Sequence, residues 1–242
     1  MLLTRTFVVL FMTDPATGFF YENYNKVALI LTAVSFLAII LISVISIFSS
    51  KKKMAPPMPN NFLGISQIML GVCSVVEPFF TPEMPITVTP ILNTLRNVFI
   101  ILCGLVFIYF GFLNFLGKKP KYGFSVVLIF SYLIRLLTTF ICYNGMSNIV
   151  ANIYEILFLC SFLLFLQQSG KANCNIINKK TIILSNTFCV TSFMLAVACS
   201  VPQIIGLFLN TMNLRVSCNP IFTTLFTAIY VLSFLISKPE QN

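Results

Sequence analysis

Four charged residues lie inside long apolar stretches of this chain: Glu77, Arg96, Arg135 and Glu155. An ionised side chain in hydrocarbon costs at least about 2.5–3.5 kcal/mol, so each needs an opposite charge, a polar cavity or water. Two chemistries are open to such a set. As pairs, the residues lock helices together. Around a cavity, the arginines would meet an anionic solute group and the carboxylates would tune or gate it. Other polar residues fall beside them at helical intervals: Asn148 and Asn152 with Glu155, Asn93 with Arg96, Ser131 with Arg135, and Ser200 with Gln203. The candidate substrate-binding set is therefore Arg135, Glu155, Arg96, Glu77, Asn152 and Gln203.

Several other chemistries are argued against. The chain has no His, so histidine proton shuttling and histidine metal ligation are excluded. Its 8 Cys form no C-x-x-C, and only Cys142 and Cys218 fall near the same predicted outer face, where a bridge could form. No nucleophile elbow, P-loop or dinucleotide fingerprint occurs. Asp14 is the only aspartate, Glu77 and Glu155 stand on different stretches, and the last apolar stretch has no lysine for a Schiff base. The expectation is a protein that is not an enzyme and needs no cofactor or metal.

The elements that position the four charges follow from composition. Of 242 residues, 58% are hydrophobic and 9% charged, and the mean hydropathy is +0.96. Soluble domains carry about 25% charged residues, so this chain cannot cover a water-facing surface. A helix crossing a bilayer needs about 20 apolar residues. Seven stretches approach or exceed that length: Val27–Phe48, Asn61–Phe80, Ile91–Leu113, Tyr122–Tyr143, Ile149–Gln168, Thr181–Leu209 and Asn219–Ile236. The expected fold is all-α, a polytopic membrane protein of seven spans. Residues 1–26 form an extracytoplasmic segment, 27–236 a single transmembrane domain and 237–242 a cytoplasmic tail. Near the start, Arg5 and the apolar run Thr6–Met12 precede Asp14-Pro15 without a cleavage site. That segment reads as lying on, or dipping into, the outer membrane surface.

Basic residues set the orientation. Lys51, Lys52, Lys53, Lys118, Lys119, Lys121, Lys171, Lys179, Lys180 and Lys238 fall on one side, against Arg5, Lys26 and Arg215 on the other. The lysine-rich side is expected to face the cytoplasm, which puts the N-terminus outside. Basic clusters in short connections are a topology signal, so the net charge of +9 does not point to nucleic acid. In this frame all four buried charges sit about 5 to 12 Å below the outer surface. Adjacent antiparallel spans would pair Glu77 with Arg96 and Arg135 with Glu155.

Short matches suggest an internal repeat. Ser35-Phe36-Leu37 matches Ser161-Phe162-Leu163, and Cys73-Ser74-Val75 matches Cys199-Ser200-Val201 at the same offset of 126. Pro90-Ile91 with Thr94-Leu95 also matches Pro220-Ile221 with Thr224-Leu225. They imply a parallel 3+1+3 arrangement. With Pro202-Gln203 in the sixth span, this organisation resembles the small sugar transporters and PQ-loop proteins. It departs from them in lacking hinge prolines in spans one and five and in having Glu77-Pro78 where a second Pro-Gln would stand. The opening Asp14-Pro15-Ala16-Thr17-Gly18-Phe19-Phe20, followed by seven spans, resembles uncharacterised multipass proteins of anaerobic Gram-positive bacteria, a family that implies no activity.

The functional expectation is a small-solute transporter or permease of the cell membrane with a polar vestibule in the outer half of the bilayer. A ligand-sensing, receptor-like module and an accessory subunit of a membrane complex are the alternatives. Expected partners are the lipid bilayer, a small polar or anionic solute and, for the alternatives, another membrane protein.

Overall fold

The computed structural model describes residues 1–14, 20–50, 59–80, 90–118, 122–144, 149–173, 178–209 and 221–237. Most of the lysines that set the predicted orientation, the motif residues Pro15–Phe19, and Cys218 lie outside these. So do the side chains of Cys142 and Asn152.

The described residues form eight α-helices: α1 Leu2–Phe11, α2 Asn25–Ser50, α3 Asn61–Phe80, α4 Pro90–Phe115, α5 Tyr122–Asn144, α6 Ile149–Asn173, α7 Lys179–Phe208 and α8 Ile221–Ile236. Six of them, α2 to α7, are long and apolar enough to cross a membrane. In lipid every backbone N–H and C=O must be paired within the protein, and a continuous helix does this by itself. The chain is accordingly a helical, multipass membrane protein. Helix α8 has 16 residues, about 24 Å, which falls short of the ~30 Å hydrocarbon core. It is nevertheless packed among the longer helices.

Neighbouring helices close a ring in the order α3, α4, α5, α6, α7, α8 and back to α3. Helix α2 stands outside this ring against α7, and α1 packs on both of them. The two expected triads therefore pack differently: α6 lies along α7, whereas the principal partners of α2 are α7 and α1.

The tightest joint is the antiparallel pair α3–α4, where two heptad-spaced glycines face two others. Gly71 opposes Gly104 and Gly64 opposes Gly111. A Cβ on Gly71 would come within 2.6 Å of the Gly104 carbonyl oxygen, and one on Gly104 equally close to that of Gly71. Only hydrogen fits. With no hydrophobic drive between helices in lipid, such close backbone approach is what dispersion forces reward. A seven-residue spacing is close to two helical turns and so keeps both glycines on nearly the same face of each helix.

Inside the ring, aromatic side chains from four helices interlock. Tyr132 of α5 meets Phe162 of α6 edge to face at 4.6 Å, Phe165 meets Phe234 of α8 at 4.9 Å, and Phe107 of α4 meets Tyr230 at 5.4 Å between centroids. These geometries suit the ring quadrupoles and fill the core densely. Serine and threonine are also abundant in the interior, and most bond back to their own helix. Ser74 donates to Leu70 O, Ser131 to Val127 O and Ser200 to Ala196 O. Such hydroxyls are satisfied without marking a cavity.

Candidate functional site

The glycine seam of α3 and α4 decides where two of the charges go. Glu77 stands six residues beyond Gly71, and Arg96 eight residues before Gly104. Held at this spacing, they meet: Arg96 Nη2 lies 3.4 Å from Glu77 Oε1. The sequence-derived pairing of Glu77 with Arg96 is present.

Arg135, expected opposite Glu155, also takes a partner that the sequence did not suggest. Arg135 of α5 engages the same Glu77 carboxylate through both terminal nitrogens, with Nη2 3.3 Å from Oε1 and Nη1 donating to Oε2 at 3.3 Å. Thr223 of α8 donates its hydroxyl to Oε2 at 2.9 Å. One carboxylate on α3 thus gathers two guanidinium groups and a hydroxyl from three other helices. A carboxylate has about four lone-pair directions, and these contacts occupy them. Bidentate Arg–carboxylate contact is the stronger and more orienting form of the bond. Glu77 and Arg135 are 4% exposed and Arg96 2%, so the cluster is shielded from bulk solvent.

Glu155 of α6 is buried near Cys199 of α7, and its negative charge also acts on Arg135. Two arginines and two glutamates therefore balance within one region. This matters, because a lone charge there would be expelled or neutralised. Beneath it, Tyr132 places its ring 5.9 Å from the Arg135 guanidinium carbon. Of the other candidate residues, Gln203 of α7 is half-buried and makes no hydrogen bond to the cluster among the described residues, and the Asn152 side chain lies outside them.

A second polar layer sits about 15 Å away along α3, ten residues back from Glu77. Asn114 of α4 donates to Gln67 Oε1 at 2.6 Å and to Phe110 O at 3.1 Å. Ser66 and Ser233 share a hydrogen bond at 2.6 Å, and the Tyr230 hydroxyl lies beside Gln67. Phe107 and Tyr230 lie between the two layers. The ring interior therefore runs from charge cluster through aromatic layer to amide layer.

Sequence reasoning missed Thr223, Gln67, Asn114 and Arg5. The signal for Thr223 was present: Thr223, Thr224 and Thr227 in the last apolar stretch share one buried face. No protein-family model, curated protein or solved structure matches the chain.

Proposed function

We propose that this chain is a small-solute transporter or permease of the cell membrane, oriented with its N-terminus outside and captured here closed. The observation that carries this reading is the layered interior of the α3–α8 ring. Buried charges at one end and buried amides at the other are separated by a thin aromatic layer. Polar groups within a bilayer are costly and typically mark a solute path. In this reading Glu77, Arg96, Arg135 and Thr223 form the outer gate, and an anionic or strongly polar solute exchanges with Glu77 for the arginines as the gate opens. The Phe107–Tyr230 contact is the inner barrier.

The occupancy of Glu77 by three partners favours a second reading, in which the cluster is a permanent lock within a sensor or an accessory subunit. Flux separates the two. Purified protein in liposomes should take up at least one labelled solute from a panel of carboxylates, phosphate and amino acids faster than empty vesicles. Arg135→Lys should cut that uptake at least tenfold at unchanged protein abundance, because Lys keeps the charge but loses the fork. No uptake of any solute by stably folded protein would overturn the transporter reading and leave the lock.

A further inference from the structure

We propose that α1 is a half-span: a helix sunk into the hydrocarbon of one leaflet, with lipid acyl chains covering its outward face. In the orientation proposed above that leaflet is the outer one; the choice of leaflet rests on that reading, and the immersion does not. The first support is an inverted amphipathic pattern. Leu3, Phe7 and Phe11 recur at four-residue intervals and point outward, 84%, 48% and 60% exposed, and the rings of Phe7 and Phe11 lie 5.1 Å apart. The only charged side chain of the helix, Arg5, points inward and is 6% exposed. A helix on a water-facing surface turns its charges to the solvent and its apolar stripe to the protein. The reverse arrangement suits a solvent that is itself apolar.

The second support is depth. After α1 the backbone pairs Thr13 with Phe20, Tyr21 N–H donates to Met12 O at 3.0 Å, and α2 begins at Asn25. The two helices are antiparallel, and their contacts run downward from that return. Val8 and Met12 cluster with Ala28, and Thr4 meets Ser35 hydroxyl to hydroxyl at 3.0 Å. Ser35 stands about 15 Å along α2 from Asn25. The 26 residues of α2 span about 39 Å and overhang a ~30 Å hydrocarbon core by only about 9 Å, shared between two ends. Thr4 therefore lies roughly 10 Å inside the hydrocarbon. An interfacial helix lies in the membrane plane, whereas α1 runs beside a spanning helix, and its length of about 15 Å matches half the core. Its outward stripe continues that of α2, where Leu29 and Leu37 are exposed. Glu22 and Lys26, exposed at the return between Tyr21 and Val27, suit the headgroup level. Immersion also accounts for the direction of Arg5. Facing outward at this depth it would meet acyl chains, and facing inward it lies 4.3 Å over the Tyr154 ring centroid.

The chain has no Trp, so a single introduced one reports its own surroundings. Leu3→Trp, Phe7→Trp and Phe11→Trp are each made in the full chain and reconstituted into phosphatidylcholine vesicles brominated near the headgroup or at mid-chain. Leu29→Trp and Leu37→Trp serve as shallow and deep references on α2. Leu3→Trp should lose emission to mid-chain bromine as strongly as Leu37→Trp does. Phe11→Trp should follow Leu29→Trp in its loss to shallow bromine, Phe7→Trp should fall between, and aqueous iodide should quench none of them. Quenching of Leu3→Trp and Phe7→Trp by iodide instead of bromine would overturn the proposal and place the stripe in water. A preference of all three for shallow bromine would overturn it too, by laying α1 in the membrane plane. So would emission untouched by either quencher, because protein, such as a second copy of the chain, would then cover the stripe. None of these readouts involves solute flux, so failure here is distinct from failure of the transporter reading.

Discussion

The α3–α4 hairpin and the α1–α2 arm each take an arginine out of water, and they do so by opposite means. In the hairpin, glycines bring two backbones into contact, and that rigidity holds a carboxylate where Arg96 and Arg135 both reach it. In the arm, a ten-residue helix lies against α2 and α7 and sets its own Arg5 over the ring of Tyr154 from α6. Helix α2 itself leaves Ile30, Ile40, Ile45 and Phe48 facing outward. The difference teaches that charge burial in this molecule follows backbone proximity. Where helices touch at glycine, opposite charges complete one another. In the arm, which has no such glycine seam among the described residues, the guanidinium of Arg5 lies over an aromatic ring instead.

The comparison can be broken most strongly at its centre. Glu77→Gln removes the only negative group in contact with both Arg96 and Arg135 among the described ion pairs. Removing one partner of a buried ion pair costs about 3–5 kcal/mol, so this variant should lose most of its folded, monodisperse population in detergent. Gly71→Ala attacks the seam. Its Cβ would stand 2.6 Å from the Gly104 oxygen, an overlap that only separation of the backbones relieves, at about 1–3 kcal/mol. Thermal unfolding should register that loss, and added Gly104→Ala should deepen it. The arm should respond least. Arg5→Leu exchanges an incompletely partnered cation for an apolar side chain and should change global stability by under about 1 kcal/mol. A drop in Tm as large as that of Glu77→Gln would show that the arm is as integral as the hairpin.

Most of the architecture was legible because lipid imposes one pattern on sequence. The apolar run Asn61–Phe80 coincides with α3, and the predicted start of α5 at Tyr122 and of α6 at Ile149 are those observed. The helical tails were less legible. α6 continues past Gln168 to Asn173, since polar residues extend a helix without adding hydropathy. Within the site, Glu77 with Arg96 could be read from a hairpin whose strands of sequence are adjacent. The fork of Arg135 on Glu77 could not, because it depends on ring closure, which brings α5 and α8 to α3 across the bundle. Gly64, Gly71, Gly104 and Gly111 carried a readable signal in their matching seven-residue spacing, which a search for G-x-x-x-G passes over. Arg5 was counted with the outer-surface charges because a short helix looks superficial until its packing is known.

The position of Glu77 also sets a timetable for biogenesis. As α3 leaves the ribosome it carries a carboxylate that no residue before it has been placed to answer. Its first counter-charge, Arg96, comes with the next helix, its second with α5, and the Thr223 hydroxyl only with α8, the last helix of the ring to be made. Membrane insertion of α3 is therefore favoured as a hairpin with α4. The closing bond of the cluster forms last, so it reports that the whole ring has been assembled.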